Sequence, residues 1–328
     1  MQKLTKVLVV ILVIVMLAGL AACGQKDDGI FVGVFLRTIA SNYYNATNMG
    51  ALRAMEDWNK ERGRNDTIQV YDHGDNIAKE INNVEDAINI GVDVAVINPI
   101  DPQGSIACMD MLDEAGVITI NIDGMFNNAE KAQGRIQSRN EEGGELEMRK
   151  LCEALGGKGN ILMFCNSANA NSEIRKIGAM RALEDFPDIN VLYIYDGETT
   201  LEKSLDAMQN FMQRFQADGI DGVWAFSDTI SQGAAAAVSG TELEGKIKIA
   251  GLNGDVTSLE LIKEGKQMGS AAQFPEVLGY EGVMMGLKMA IGEMEPMDPD
   301  DKVWLDMEWV DQSNVDEHIE RWESMKVS

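Results

Sequence analysis

Short apolar runs rich in β-branched residues recur along this chain, each followed by a segment with helical spacing. IFVGVFL (30–36), TIQVYDH (67–73), VDVAVIN (92–98) and VITINID (117–123) read as near-continuous apolar strands. Strands buried on both faces of a parallel sheet have that pattern. Between them, AKEINNVEDAINIG (78–91) and GSIACMDMLDEAG (104–116) read as helices. A second series follows: NILMFCN (160–166), INVLYIYD (189–196), GVWAFSD (222–228) and IKIAGLN (247–253). Within it, Leu201, Leu205, Met208, Met212 and Phe215 recur at spacings of four and three, which predicts one buried helix face with methionine as core filler. Two consecutive βα series predict an α/β chain with two doubly wound parallel-sheet lobes. GRIQSRN (134–140) and MGSAAQFP (268–275) fit neither helix series and are expected to be strands crossing between lobes. VWLDMEWV (303–310) adds one more apolar run, and the charged tail after it reads as an appended helix.

The N-terminus carries a different signal. After Lys3 and Lys6, residues Val7 to Ala22 run for 16 positions without a charge. A membrane span needs about 20 apolar residues, so the stretch reads as the core of a signal peptide. Leu20, Ala21, Ala22 and Cys23 resemble the lipobox of bacterial lipoproteins, in which the cysteine is acylated and the chain is cut before it. That resemblance implies lipidation at Cys23, an extracytoplasmic location and attachment to the cell membrane through lipid alone. The division expected is a signal peptide over 1–22, lipidated cysteine and polar leash over 23–29, an N-terminal lobe from 30–137 plus 274–303, and a C-terminal lobe with tail from 138–273 plus 304–328.

Charge excludes some partners. Residues 1–22 hold two lysines and no acid, which leaves 26 basic side chains against 53 acidic ones. Such a surface repels nucleic acid and anionic lipid. Beyond Cys23 only Cys108, Cys152 and Cys165 remain, an odd number without the spacing of a disulfide framework or a zinc site. An enzyme finds little support. GTELEGKI (240–247) mimics a phosphate loop, but Ile247 stands where Ser or Thr would hold magnesium, so it reads as a turn. His73 and His318 lie far apart without partner residues and are expected in a loop and on a surface helix. No catalytic residue, cofactor or metal is expected, and DGETTLEKSLD (196–206) lacks the alternating acids of a calcium loop.

In open parallel sheets ligands bind beyond the carboxyl ends of the strands. Those places hold Ser41, Asn42, Tyr43 and Tyr44; Asn98, Pro99 and Asp101; Asp123; and in the second series Asn166, Thr199, Ser227, Asp228, Asn253 and Asp255. Asn, Asp and Ser also cap helices, so each has a purely structural alternative.

SNYYNATNMGA (41–51), INNVEDAINIGVDVAVINPID (81–101), TINID (119–123), IRKIGAMRAL (174–183) and AAQFP (271–275) resemble, in order and spacing, the extracytoplasmic sugar-binding proteins of ABC importers, of the ribose and galactose type. The resemblance spans about Ile30 to Val310. It implies two lobes joined by three crossover strands, closing by a hinge on a sugar or sugar alcohol that is then delivered to the importer's permease subunits. It also implies a monomer. Aromatic rings at Tyr43 and Tyr44, with Ser41 beside them, would sandwich the sugar's apolar face. Asn98 and Asp123 from one lobe, Arg175, Thr199, Ser227 and Asn253 from the other, and Gln273 from a crossover would meet its hydroxyls. The pattern departs from ribose binders at Gly124, where an arginine is expected, at Asn253, where an aspartate is expected, and at Thr199, which is aromatic in close ribose binders. A neutral polyol larger than ribose, or of different shape, suits those changes. Two alternatives stay open: an amino acid gripped by Asp123 and Arg175, or a nucleoside stacked on a tyrosine. A lipid-anchored sensor presenting its ligand to a receptor or kinase would carry the same features. A sugar-responsive DNA-binding regulator would need a basic headpiece where this chain has an export signal.

Overall fold

The computed structural model describes residues 29–198, 200–215 and 219–324. Cys23 with the apolar stretch before it, and Thr199, lie outside the described residues.

The first βα series forms β1 (Phe31–Leu36), β2 (Thr67–Asp72), β3 (Val94–Ile97), β4 (Ile118–Ile122) and β5 (Gly134–Ser138), all parallel, in the order β5-β4-β3-β1-β2. The second forms β6 (Lys158–Cys165), β7 (Asp188–Asp196), β8 (Gly222–Ala225), β9 (Lys248–Asn253) and β10 (Gly269–Ala272), again parallel, in the order β10-β9-β8-β6-β7. Each sheet reverses its order beside its first strand, at β1/β3 and at β6/β8. Side chains of β1 alternate between the two faces: Val32, Val34 and Leu36 join Trp58 and Ile120, while Phe35 joins Ile97, Cys108 and Leu112. The second lobe is built around Trp224, Phe164, Ile161 and Met208.

The helices are α1 (Asn42–Arg62), α2 (Ile77–Asn89), α3 (Ile106–Glu114), α4 (Asn140–Ala154), α5 (Ala170–Leu183), α6 (Leu201–Arg214), α7 (Asp228–Val238), α8 (Val256–Lys263), α9 (Pro275–Ala290) and α10 (Val315–Ser324). The chain passes between the sheets three times. It leaves β5 for α4, which packs on the second sheet, and leaves β10 for α9, whose Leu278, Val283 and Leu287 lie in the first core. The third passage runs from β11 (Val303–Leu305), parallel to β5, into β12 (Glu308–Val310) beside β10. β12 is antiparallel, the one departure from parallel pairing among the strands described in these two doubly wound sheets. The reason is geometric: both sheets aim their carboxyl ends at the space between them, so a strand continuing from one sheet enters the other against its grain.

Three expectations are revised. β2 is an edge strand whose first four residues alternate between exposed and half-buried, with Tyr71 its buried residue. On α6 the buried residues are Ser204, Ala207, Met208 and Phe211, and Leu201 is 44% exposed. Gly233 of α7 lies so close to the Leu201 carbonyl and Ser204 that the helices meet through small groups, which turns Leu201 outward. His318 is on a helix as expected, but it is 9% exposed and stacks on Phe274. His73 is in a loop and completely buried, stacked on Phe35.

Cys108, Cys152 and Cys165 are buried free thiols. Burial pushes the Cys152 and Cys165 thiols up to about 11 and about 12, so they are inert core groups at neutral pH.

Helices α4 and α5 approach through Gly144 and Gly178. A Cβ on Gly144 would overlap the Arg175 carbonyl, and one on Gly178 would overlap the Glu141 carbonyl. Backbone cannot yield as a flexible side chain does. Gly144→Ala and Gly178→Ala are each expected to destabilise by about 1–3 kcal/mol, the usual range for overpacking. Denaturant unfolding checks this; an unchanged midpoint for both would refute it.

Candidate functional site

The space between the two sets of carboxyl strand ends is a cleft of about 510 Å³. Ser41, Tyr43, Tyr44, Asn98, Asp123, Arg175, Ser227, Asn253 and Gln273 all line it. It sits where strand order reverses in both sheets, with Tyr43 beyond β1, Asn98 beyond β3, Asn166 beyond β6 and Ser227 beyond β8. A crevice opens there because the helices following neighbouring strands depart to opposite faces.

Capping does not account for these residues. Asn76 and Thr200 accept from backbone amides in the first turns of α2 and α6 and act as ordinary caps. Ser41 and Ser227 occupy the same positions before α1 and α7, yet neither side chain makes the capping bond. Asn169 both lines the cleft and caps α5.

Asp123 organises the first-lobe wall. It has a left-handed backbone, φ 57°, and Asn253 opposite has φ 139°. Such strained conformations persist where surrounding structure holds them, often at ligand sites. The Asp123 carbonyl accepts from Gln137 Nε2 at 3.0 Å. Its Oδ2 accepts from Asn98 Nδ2 at 2.7 Å, and its Oδ1 accepts from Tyr43 Oη at 3.3 Å and from Asn171 Nδ2 of the second lobe at 3.4 Å. Asn98 Oδ1 is buried and unpartnered among the described residues, which leaves it able to accept from a hydroxyl.

Arg175 faces it from α5. Its Nε donates to Asn140 Oδ1 and its Nη1 to the Phe226 carbonyl, both at 2.8 Å. Two of its five donors are thereby used to fix the fork. Burial pulls the guanidinium below its ordinary value, and the Asp123 charge opposes that shift. The neighbouring acid on the same helix, Glu173, pairs with Lys176 at 2.8 Å. From the crossover after β10, Gln273 Nε2 donates to Asn253 Oδ1 at 2.8 Å, and Gln273 Oε1 accepts from Tyr43 Oη at 3.4 Å.

The tyrosines do not face each other across a ligand. Their rings stand edge-on at 89° with centroids 5.1 Å apart. Successive helical side chains point about 100° apart, so adjacent rings on one turn cannot form two sides of a sandwich. Tyr43 is buried, with its hydroxyl pushed well up first by burial and then by Asp123; Phe226 from the second lobe supplies another ring to the lining.

Sequence reading missed Arg37, Asp75, Gln137, Asn140 and Asn171. Arg37 directly follows β1 and its Nε donates to Asp75 Oδ1 at 2.9 Å, while Asn171 is in the first turn of the helix after β6. Both are within reach of the strand-end rule when it is applied from the first residue after β1, four before Ser41, and five residues past Asn166. Asp101 lines the cleft but turns its carboxylate to the amides of Gln103 and Gly104 at 3.0 and 2.6 Å. Excluding it, the lining holds two opposed charge pairs, Arg37 with Asp75 and Arg175 facing Asp123. Among the described residues no cluster of His, Cys, Asp or Glu is placed to hold a metal ion, and no helix is long and apolar enough to cross a membrane.

Comparison with known proteins agrees with this geometry. The chain is 25% identical over 304 residues to a xylitol-binding protein of Mycolicibacterium smegmatis, covering 92% of this chain and 84% of that one. It is 24% identical over 256 residues to a ribose import binding protein of Bacillus subtilis, covering 78% and 80%. An ABC transporter solute binding protein of Bacillus halodurans, solved with bound myo-inositol, superposes with a TM-score of 0.80 at 20% identity, covering 90% of this chain and all of the other. Residues 32–294 match the periplasmic binding protein domain, a family of ligand carriers, and with this match over most of its length the chain belongs to that family.

Proposed function

We propose that this protein captures a sugar or sugar alcohol in the interlobe cleft and delivers it to the permease subunits of an ABC importer. The observation that carries the reading is the wall itself: Asp123 and Arg175, each fixed by neighbouring polar groups, face a cleft that sets Arg37 and Arg175 against Asp75 and Asp123, with Asp101 turned to backbone amides, and whose sides include aromatic rings. A polyol has many hydroxyls and no net charge, and needs fixed donors and acceptors together with an apolar surface for its C–H face. The xylitol, ribose and myo-inositol named for the relatives support the same class. A thermal-shift screen against D-ribose, D-xylose, xylitol, D-allose, myo-inositol, nucleosides and amino acids tests it. A ligand at about 100 times its dissociation constant adds about 2.7 kcal/mol of stability. A shift with amino acids or nucleosides alone would overturn the sugar reading.

The two sheets with their helices act as a monomer's closing lobes, because each contributes only part of the wall. Saturating ligand is expected to lower the radius of gyration in small-angle scattering; an unchanged radius with binding confirmed by calorimetry would count against closure. Cys23 carries the lipid that holds the protein outside the cytoplasmic membrane, a reading supported by the lipobox resemblance and by the 16 uncharged residues before it. Cys23→Ala is expected to abolish fatty-acid labelling and to release the protein from the membrane fraction or block its processing. No label on the unmutated protein would refute the anchor.

A further inference from the structure

The last helix, α10, is seated on the second lobe but reaches the first. Its Val315, Ile319 and Trp322 pack with Leu259, Ile262 and Val310, and Asp316 Oδ1 lies 2.7 Å from Lys263 Nζ on α8. Trp322 Nε1 donates to the Gly254 carbonyl at 3.0 Å, immediately beside Asn253 of the cleft. On its other side, Arg321 Nε donates to Glu276 Oε1 at 2.6 Å. Glu276 is in the first turn of α9, the helix that packs into the first-lobe core, and its side chain is only 12% exposed. The same guanidinium lies 4.1 Å from the centre of the Phe274 ring, and the His318 ring stacks on Phe274 with centroids 6.2 Å apart. Phe274 follows Gln273 in the second passage between lobes. His318 Nε2 is also 3.6 Å from Glu308 Oε2, just past the third passage.

We infer that α10 is a clasp across the hinge, and that Arg321 is a positioning residue for ligand binding which ties Glu276 of the first lobe to the second lobe and holds the Gln273–Phe274 passage in its place beside the cleft. The inference rests on the cleft being the ligand site. The clasp coexists with the contact across the cleft between Asn171 and Asp123, so both belong to one arrangement of the lobes. A bond made in one arrangement and lost in another shifts the population between them, and apparent affinity falls in proportion to the population of the competent form. A charge-assisted bond to a mostly buried carboxylate, discounted because the Arg321 side chain is 40% exposed, corresponds to about a three- to tenfold change.

Charge reversal tests this. Arg321→Glu and Glu276→Arg should each weaken, by about three- to tenfold, calorimetric binding of whichever of D-ribose, D-xylose, xylitol, D-allose and myo-inositol the unmutated protein takes. Each should also raise the radius of gyration of the ligand-free protein in small-angle scattering, and the double variant should restore both quantities toward the starting values. Arg321→Gln, which removes the bond without reversing charge, serves if a reversal variant does not fold. Variants that melt earlier but keep their affinity and radius would overturn the clasp and leave the pair a purely structural bond. If amino acids or nucleosides alone stabilise the unmutated protein, the sugar reading fails, while the ligand-free scattering still decides the clasp.

Discussion

Asp123→Asn and Arg175→Gln are each expected to weaken ligand binding by roughly ten- to a hundredfold, since a charge-assisted hydrogen bond contributes about 1.5–3 kcal/mol. The surroundings push both losses toward the upper end. Asp123 accepts at both carboxylate oxygens, from Asn98 on one side and from Tyr43 and Asn171 on the other. An amide in its place must turn its NH₂ toward at least one of these donors, which disorders the wall as well as removing the charge. At Arg175, glutamine leaves Asn140 Oδ1 and the Phe226 carbonyl without the donors that now satisfy them. Calorimetry with a ligand from the thermal-shift screen measures the effect, on variants that still melt cooperatively. Near-native affinity in both would remove the two residues from the binding machinery. Their combined effect is not expected to add, because each helps define the field felt by the other.

The parts of this protein that were readable from sequence are those that local rules govern. Apolar runs such as VDVAVIN and NILMFCN announce strands buried on both faces, and their carboxyl ends hold the polar residues that the cleft collects. What escaped depends on contacts between distant segments. Asn140 is an unremarkable residue at the start of a helix until Arg175, on the next helix, donates to it. Gln137 acquires its place only because β5 pairs beside β4 and brings its amide to the Asp123 carbonyl. The antiparallel run of β12 follows from two sheets facing each other, a relation absent from any single strand's pattern. The outward turn of Leu201 arises likewise from Gly233 on a neighbouring helix, since helical spacing alone cannot say which of two adjacent stripes meets the closer partner.

Behind the second-lobe wall, Asp228 and Asp255 are both buried, and they are expected to make stability fall as pH rises from about 4 toward about 8. Asp228 Oδ1 accepts from Ser270 Oγ at 2.8 Å, and its Oδ2 accepts from the Asp255 amide at 2.7 Å. Burial raises both carboxyls, and the Asp228 charge pushes Asp255 further, to about 8 from an ordinary 3.8. Arg175 on α5 opposes the shift at Asp255, while Glu147 on α4, itself raised far by burial, adds to the crowding of acids. Between the unfolded and folded values the native protein holds a proton that the unfolded chain has released. Each unit of pH in that window therefore removes up to about 1.4 kcal/mol. Stability is fully present below the unfolded value and is lost as pH rises through the folded one. Asp255→Asn keeps the shape, removes the titration, and should flatten the dependence of the melting temperature on pH between about 5 and 8; an equally steep profile would show that the slope arises elsewhere. The same protonation bears on binding. Held neutral, Asp255 places no negative charge behind Arg175, whereas an ionised carboxylate there would compete for the field that the arginine turns toward the cleft. Ligand affinity measured across that pH range should accordingly weaken toward the alkaline end in the unmutated protein and vary less in Asp255→Asn.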